Sequence, residues 1–462
     1  MRAFVNALVI ACLLIATRTL ATTCLAAPPP TEKPGLERIG HIIVIFLENR
    51  GFDHLYGLFP GADGLDNAGA AAAQVTSAGD PFDVLPAVLN NYTTDWIDKR
   101  FDPALPNAPF RADRYIDLRD RTGDPVHRFY QEQEQINGGK MDRFVAWSDV
   151  GALPMGYFDG RGLPLFHMAE EYTLADHFFH AAFGGGFLNH MWLICACTPR
   201  FDHAPPELVA RVDGGGRLLN DGAVTPDGYA INTIQPRLGL HNPSVTDPSD
   251  RLPPLTEPTI GRLLTDAGVS WAWYAGGYAN AEAGRPDPSF VYHHQPFTYF
   301  ADYAEGTAGR SEHLKDERDM IEAINERTLP AVSFFKPLGA NDEHPGYANL
   351  VQGDNHAAWL IQQIQNSFIW NDAMIIVTYA SNGGMWDHVA PPKIDRWGPG
   401  TRVPAIIISR YAKRHFVDHT MYDTTSILKL IETRWHLTPL GDRDAAAADL
   451  TNALDFGRRA GH

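Results

Sequence analysis

The chain of 462 residues carries 38 basic and 55 acidic side chains, a formal net charge of −17 at pH 7. That acidity, with no basic arm, excludes a general affinity for nucleic acid but leaves room for a small anion held by histidines and backbone N–H groups. Hydrophobic residues make up 44% of the chain, enough for a large core, and no low-complexity tract or internal repeat interrupts it.

The N-terminus reads as a targeting segment. Arg2 is its basic start, Val5 to Thr17 its short apolar run, and Cys24-Leu25-Ala26-Ala27 its small-residue cleavage site. The run is too short for a membrane anchor and Arg18 ends it, and no other stretch is apolar enough to span a bilayer. An exported protein is expected, periplasmic or secreted, with residues 1–27 removed. A Pro-rich linker over 28–37 and one domain over 38–462 follow. Loss of Arg2 and Arg18 takes the net charge from −17 to −19. Cys12 and Cys24 leave with the segment, so Cys195 and Cys197 remain, one residue apart in an apolar run. An oxidising compartment permits a disulfide there, but that spacing strains it, and two buried thiols are the expected state.

Ile42 to Leu47 is apolar throughout, as in a buried parallel strand. Residues 60–125, rich in Gly, Ala, Asp and Pro, read as loops and short elements. Helical spacing covers Leu163 to Tyr172 and Phe187 to Cys197, and residues 200–255 form a polar, turn-rich excursion. Thr259 to Ala267, Glu312 to Glu326, Asn355 to Trp370 and Thr424 to Trp435 read as helices. Val269 to Tyr274, Ala331 to Phe335, Ile375 to Tyr379 and Val403 to Ile408 read as strands. This alternation predicts an α/β fold, a three-layer α/β/α sandwich around a mostly parallel sheet.

Several segments carry chemistry. Glu48-Asn49, just past the first strand, puts a carboxylate beside an amide oxygen, a pair suited to a hard divalent cation or to a capped surface turn. Gly184-Gly185-Gly186 opens a helix, an arrangement that favours anions through free N–H groups and the helix dipole. His127, the pair His293-His294, and His344 lie beside turns, where imidazolium can donate to phosphoryl oxygens or protonate a leaving group. The strand ending at Tyr379 runs into Ala380-Ser381-Asn382-Gly383-Gly384 and then Asp387-His388. A strand's carboxyl end is where α/β proteins place ligands. Asp387 can orient His388, ligate a metal or cap a turn.

These stretches resemble the phosphoesterases that include bacterial acid phosphatases and phospholipases C. They are Ile43 to His54, His180 to His190, Val126 to Gln133, Asn341 to Tyr347, Ile375 to Pro392, Arg396 to Ala405 and Asp423 to Lys429. The last two look like the acid-phosphatase branch, and the likeness runs over about residues 38–456. It implies a fold like alkaline phosphatase, hydrolysis of small phosphate esters, and a divalent metal ion held by Glu48, Asn49 and two acids. In this chain those two acids are replaced by Ala380 and Ser381. It also implies a serine nucleophile at the position of Gly186, phosphate contacts from Asn49 and from His293 or His294, and catalytic roles for His127 and His344. Glycine has no oxygen to attack phosphorus, so weak or lost turnover with phosphoester binding retained is expected. Two alternatives stay open: catalysis by Ser381 or by a water that His344 activates, and a binding protein without enzymatic activity.

Overall fold

In a computed structural model the protein is described over residues 34–94 and 96–457. The targeting segment lies outside those residues. A single sheet organises the chain. Its strands are β1 (His41–Leu47), β2 (Thr173–Ala175), β3 (Trp271–Ala275), β4 (Leu314–Asp316), β5 (Val332–Lys336), β6 (Ala373–Tyr379), β7 (Ala405–Ser409) and β8 (Phe416–Asp418). Their spatial order is β8-β2-β7-β6-β1-β5-β3-β4. Every pairing is parallel except the two that β7 makes, with β6 and with β2. Central β1 puts Ile45 level with Phe335 on β5 and Val377 on β6. Such unbroken apolar strands are stable only when both sheet faces are covered.

Helices provide the cover. They are α1 (Phe52–Tyr56), α2 (Phe129–Ile136), α3 (Pro164–Glu171), α4 (Gly186–Cys195), α5 (Ile260–Asp266), α6 (Glu317–Glu326), α7 (Leu350–Gln365) and α8 (Thr425–Trp435). α3, α6 and α7 pack together in one layer, and α4, α5 and α8 in the other. The expected α/β sandwich with a mostly parallel sheet is the observed architecture.

Three local expectations need correction. The stretch read as one helix from Glu312 is cut by β4, which pairs with β3 at the sheet edge. Asp316 then restarts the chain as a helix cap, its side chain accepting from Arg318 N while Asp319 accepts from the Asp316 N–H. The helix expected from Asn355 begins earlier, at Leu350, because Asn349 accepts from Gln352 N as its cap, and it ends at Gln365. Cys195 and Cys197 form a disulfide rather than two thiols. α4 ends at Cys195, and Ala196 takes left-handed backbone (φ 48°), which folds the chain back and brings the two Cα atoms to 5.1 Å. That separation is within disulfide range.

One buried cation knits the carboxyl ends of the strands together. Arg402 donates from Nε to Asp387 Oδ1 (2.8 Å) and from Nη2 to Asp53 Oδ1 (3.2 Å). Its Nη1 donates to the carbonyls of Asp63 and Asp176, at 2.7 and 2.9 Å. This joins α1, the end of β2 and the loop after β6. Burial pushes the Asp387 carboxyl up to about 6 despite the guanidinium beside it. Arg402→Met strands two buried carboxylates and is expected to lower stability by about 3–5 kcal/mol, read as a fall in the urea midpoint. An unchanged midpoint would show that the acids find other partners.

Candidate functional site

The strand order decides which side chains meet. β1 lies between β5 and β6, so the residues just past its end, Glu48 and Asn49, face the ends of both neighbours. β5 ends in Lys336 and leads to Asp342, whose carbonyl accepts from Glu48 N at 2.8 Å. β6 leads to Ala380, whose N–H donates to Leu47 O at 3.0 Å. Asn49 has left-handed backbone (φ 58°), which turns the chain sharply away from the sheet. The Gly383-Gly384 turn serves close packing: a Cβ on Gly383 would lie 2.4 Å from Asn49 O, and one on Gly384 2.7 Å from Val126 O.

A cavity of about 360 Å³ opens there, large enough for a small ligand. Glu48, Asn49, His127, Gly185, Gly186, His293, His294 and His344 all line it. Gly184 does not offer a free amide to an anion, because its N–H donates to buried Glu132 Oε2 (2.5 Å). The same carboxylate accepts from Thr401 N (3.0 Å), and Asn189 Nδ2 holds the carbonyls of Ala182, Gly184 and Gly185. The glycine loop is therefore a fixed wall rather than a flexible one. Gly185 and Gly186, at the positive start of α4, remain on the cavity side.

Glu48 and Lys336 form the electrostatic centre of the site. Both are completely buried, and Lys336 Nζ donates to Glu48 Oε1 at 2.5 Å and to Leu47 O at 3.2 Å. Burial alone would raise the Glu48 carboxyl, but Lys336 and a hydrogen bond from His294 hold it well below the usual range. His294 Nε2 approaches the same oxygen at 3.4 Å and His190 Nε2 at 3.9 Å. Burial, reinforced by Lys336, pushes both rings far down, so they are neutral. His190 Nδ1 donates to Gly186 O (2.6 Å), and its Nε2 has no hydrogen-bond partner.

A second chain of hydrogen bonds fixes Asn49. Ser381 Oγ donates to Asn49 Oδ1 (2.8 Å), Asn49 Nδ2 donates to His127 Nε2 (3.1 Å), and His127 Nδ1 donates to Pro125 O (2.6 Å). These partners set the His127 tautomer, with Nε2 carrying the lone pair. His344 stands across from it, the ring centres 5.6 Å apart, with Nδ1 donating to Pro345 O (2.5 Å). Burial lowers the His344 proton affinity, against a nearby Asp124, and takes His293 down to about 4. Tyr347 stacks on His344 and donates to Asp342 Oδ2 (3.3 Å).

The model of the Phosphoesterase family matches residues 39–438. The chain belongs to the Phosphoesterase family. Among curated relatives, Phospholipase C A of Mycobacterium tuberculosis (strain ATCC 25618 / H37Rv) is 26% identical, over 92% of this chain and 78% of its own length. The Non-hemolytic phospholipase C of Pseudomonas aeruginosa is 22% identical, over 94% of this chain and 59% of its own length. A solved member of the alkaline phosphatase superfamily from Vibrio parahaemolyticus overlays with a TM-score of 0.35 at 9% identity, covering 72% of each chain. That overlay is too slight to bear on function.

Members of the Phosphoesterase family work on phosphoesters, generally with a divalent metal, and this chain's residues do not fit a hard cation where the sequence puts one. Such an ion takes six to eight oxygens. Here Glu48 Oε1 carries Lys336, Asn49 Oδ1 carries Ser381, and Ala380 has no oxygen. Asp387 is away from the cavity: its Oδ1 accepts from Arg402 and from Val389 N (2.9 Å), which is the turn-capping role. Asp53, not Asp387, orients His388, through Oδ2 at 2.6 Å from Nδ1. Ser381 is buried and spends its proton on Asn49, away from the cavity lining. Both members of the His293-His294 pair line the cavity, and His294 is the one that meets Glu48. Sequence reasoning missed Lys336, Tyr347 and Asp342. Its one available signal was a lysine closing an otherwise apolar strand.

A Cβ on Gly186 would lie 2.9 Å from both Glu48 carboxylate oxygens. Gly→Ala near a helix start is ordinarily stabilising, but here it presses on a buried ion pair. Gly186→Ala is expected to cost about 1–3 kcal/mol, read as a lower melting temperature, and a gain in stability would refute that placement of Glu48. Acid should expose a second buried group. His54 donates from Nδ1 to Gly156 O (2.9 Å) and faces Arg50, and burial lowers it from the ordinary 6.5 to about 3. The unfolded chain takes up this proton first, so stability from neutral His54 is full above pH 6.5 and drains as pH falls towards about 3. Relative to wild type, His54→Gln should gain stability as pH drops through that window. A difference constant with pH would contradict the assignment.

Proposed function

We propose that this is an exported phosphoester-binding member of the Phosphoesterase family in which turnover is lost or feeble. The observation that carries this reading is Gly186. At the start of α4, facing the cavity, the chain has no side-chain oxygen, and the Glu48 carboxylate fills the space beside it. Losing a nucleophile costs orders of magnitude in rate. Features suited to a phosphoryl group stay: His293 and His344 line the cavity with the start of α4, and His127 stands beside them, held by Asn49 and Pro125. The relatives named phospholipase C favour a phosphoester as ligand. Export is favoured by the N-terminal targeting segment and by the Cys195–Cys197 disulfide, a bond typical of oxidising compartments. No helix among the described residues is long and apolar enough to cross a membrane.

A competing reading, hydrolysis by water at the rate of a working enzyme, has one feature in its favour: neutral His344 on the cavity wall could take a proton from water. Two assays decide between them. Phosphate, vanadate or a phosphomonoester should raise the melting temperature of the wild type, and His127→Ala with His344→Ala should abolish the shift. Hydrolysis of p-nitrophenyl phosphate and p-nitrophenylphosphorylcholine should fall far below the roughly 1–10³ per second of working enzymes. Turnover in that range, lost in His344→Ala, would establish the competing reading instead.

A further inference from the structure

We infer that the Lys336 ammonium neutralises Glu48 in the place of the divalent cation that members of the Phosphoesterase family generally use, so that the site works without metal. The inference rests on the reading of this cavity as the phosphoester site, and three observations carry it.

First, the cation's place beside Glu48 is taken. Lys336 is completely buried and donates to Glu48 Oε1 at 2.5 Å. A divalent ion bound to that carboxylate would sit against a positive charge in a low-dielectric interior, where like charges repel strongly. Second, the amide oxygen of Asn49 is committed elsewhere. Ser381 Oγ donates to Asn49 Oδ1 (2.8 Å), and the neighbouring Ala380 offers no ligand atom. A hydroxyl thus holds the amide that a metal would otherwise orient. Third, the carboxylate lies against Gly186, 2.9 Å from where a Cβ would be. Glu48 therefore stands partly in the volume that a nucleophile's side chain would need. The missing acids, the missing nucleophile and the buried lysine are mutually consistent parts of one arrangement. An unpaired Glu48 would be untenable in this interior, and Lys336 neutralises it where no metal does.

One nitrogen-rich alternative exists at the same place. Glu48, His190 and His294 bring a carboxylate oxygen and two imidazole nitrogens within ligating distance of one another, a set that suits zinc. His190 Nε2 is buried without a partner. Lys336 on Glu48 Oε1 opposes that ion as it opposes a harder one.

The test uses the mature protein as purified. Its metal content is measured by mass spectrometry before and after dialysis against EDTA. Mg²⁺, Ca²⁺, Mn²⁺ and Zn²⁺ are then titrated calorimetrically into the wild type and into Lys336→Met. The expected result is a wild type free of stoichiometric metal, and a phosphate-induced rise in melting temperature that EDTA leaves unchanged. Removing the ammonium frees Glu48, so Lys336→Met should bind Mn²⁺ or Zn²⁺ on the order of tenfold more tightly than wild type. Lys336→Arg, which keeps the charge, should stay metal-free. One metal per chain in the wild type, lost in Glu48→Gln, would overturn the inference, and zinc lost in His190→Ala would do so through the nitrogen set. Metal content does not depend on ligand binding. Absent metal with no phosphate shift would therefore sink the phosphoester reading while upholding the role of Lys336.

Discussion

The buried ion pair between Glu48 and Lys336 is the constraint on which the site depends. An ion pair with no access to water is tolerated only when both charges are matched and hydrogen-bonded. Glu48 receives Lys336 and, more distantly, His294 and His190, while the Lys336 ammonium also donates to the Leu47 carbonyl. The parallel strands make this meeting unavoidable. β1 and β5 are parallel neighbours with Ile45 level with Phe335, so Lys336 comes level with Phe46, and its long side chain reaches forward along the strand direction to Glu48. Once the pair forms, the charge around it is balanced, and burial, with Lys336 beside it, pushes the imidazoles packed on it towards neutrality.

That balance separates binding from chemistry. The wall of histidines and the start of α4, the elements proposed to recognise a phosphoryl group, are rigidly supported. Glu132 and Asn189 pin the glycine loop, and Ser381 with Pro125 pins Asn49 and His127. In the proposed reading, Gly186 supplies no attacking oxygen, and Ala380 and Ser381 supply no carboxylate to gather a cation. On that reading the site captures a ligand rather than turning it over.

Much of this was legible in the sequence because it depends on local pattern. Unbroken apolar runs such as Ile42 to Leu47 can only be strands covered on both faces, and their carboxyl ends locate the site. Family likeness gave Gly186, Ala380 and Ser381 the roles on which the proposed function rests. The rest depends on contacts between distant segments. Lys336 looks like the solvated end of a strand until β5 is paired with β1, where its side chain reaches Glu48. Asp387 reads as a ligand because it follows a site loop, yet Arg402 claims it from the far side of the next turn. The Cys195–Cys197 bond hinges on the left-handed conformation of Ala196, which no propensity of alanine announces. Strand β4 hides inside a helical pattern because its only demand is a free sheet edge beside β3.

The most direct test of the central claim is a crystal structure with anomalous diffraction data, from crystals soaked in Mn²⁺ together with inorganic phosphate. The account predicts phosphate in the cavity among His127, His293 and His344, Lys336 still on Glu48, and no manganese peak at that carboxylate. A manganese ion ligated by Glu48, with Lys336 turned away, would contradict it.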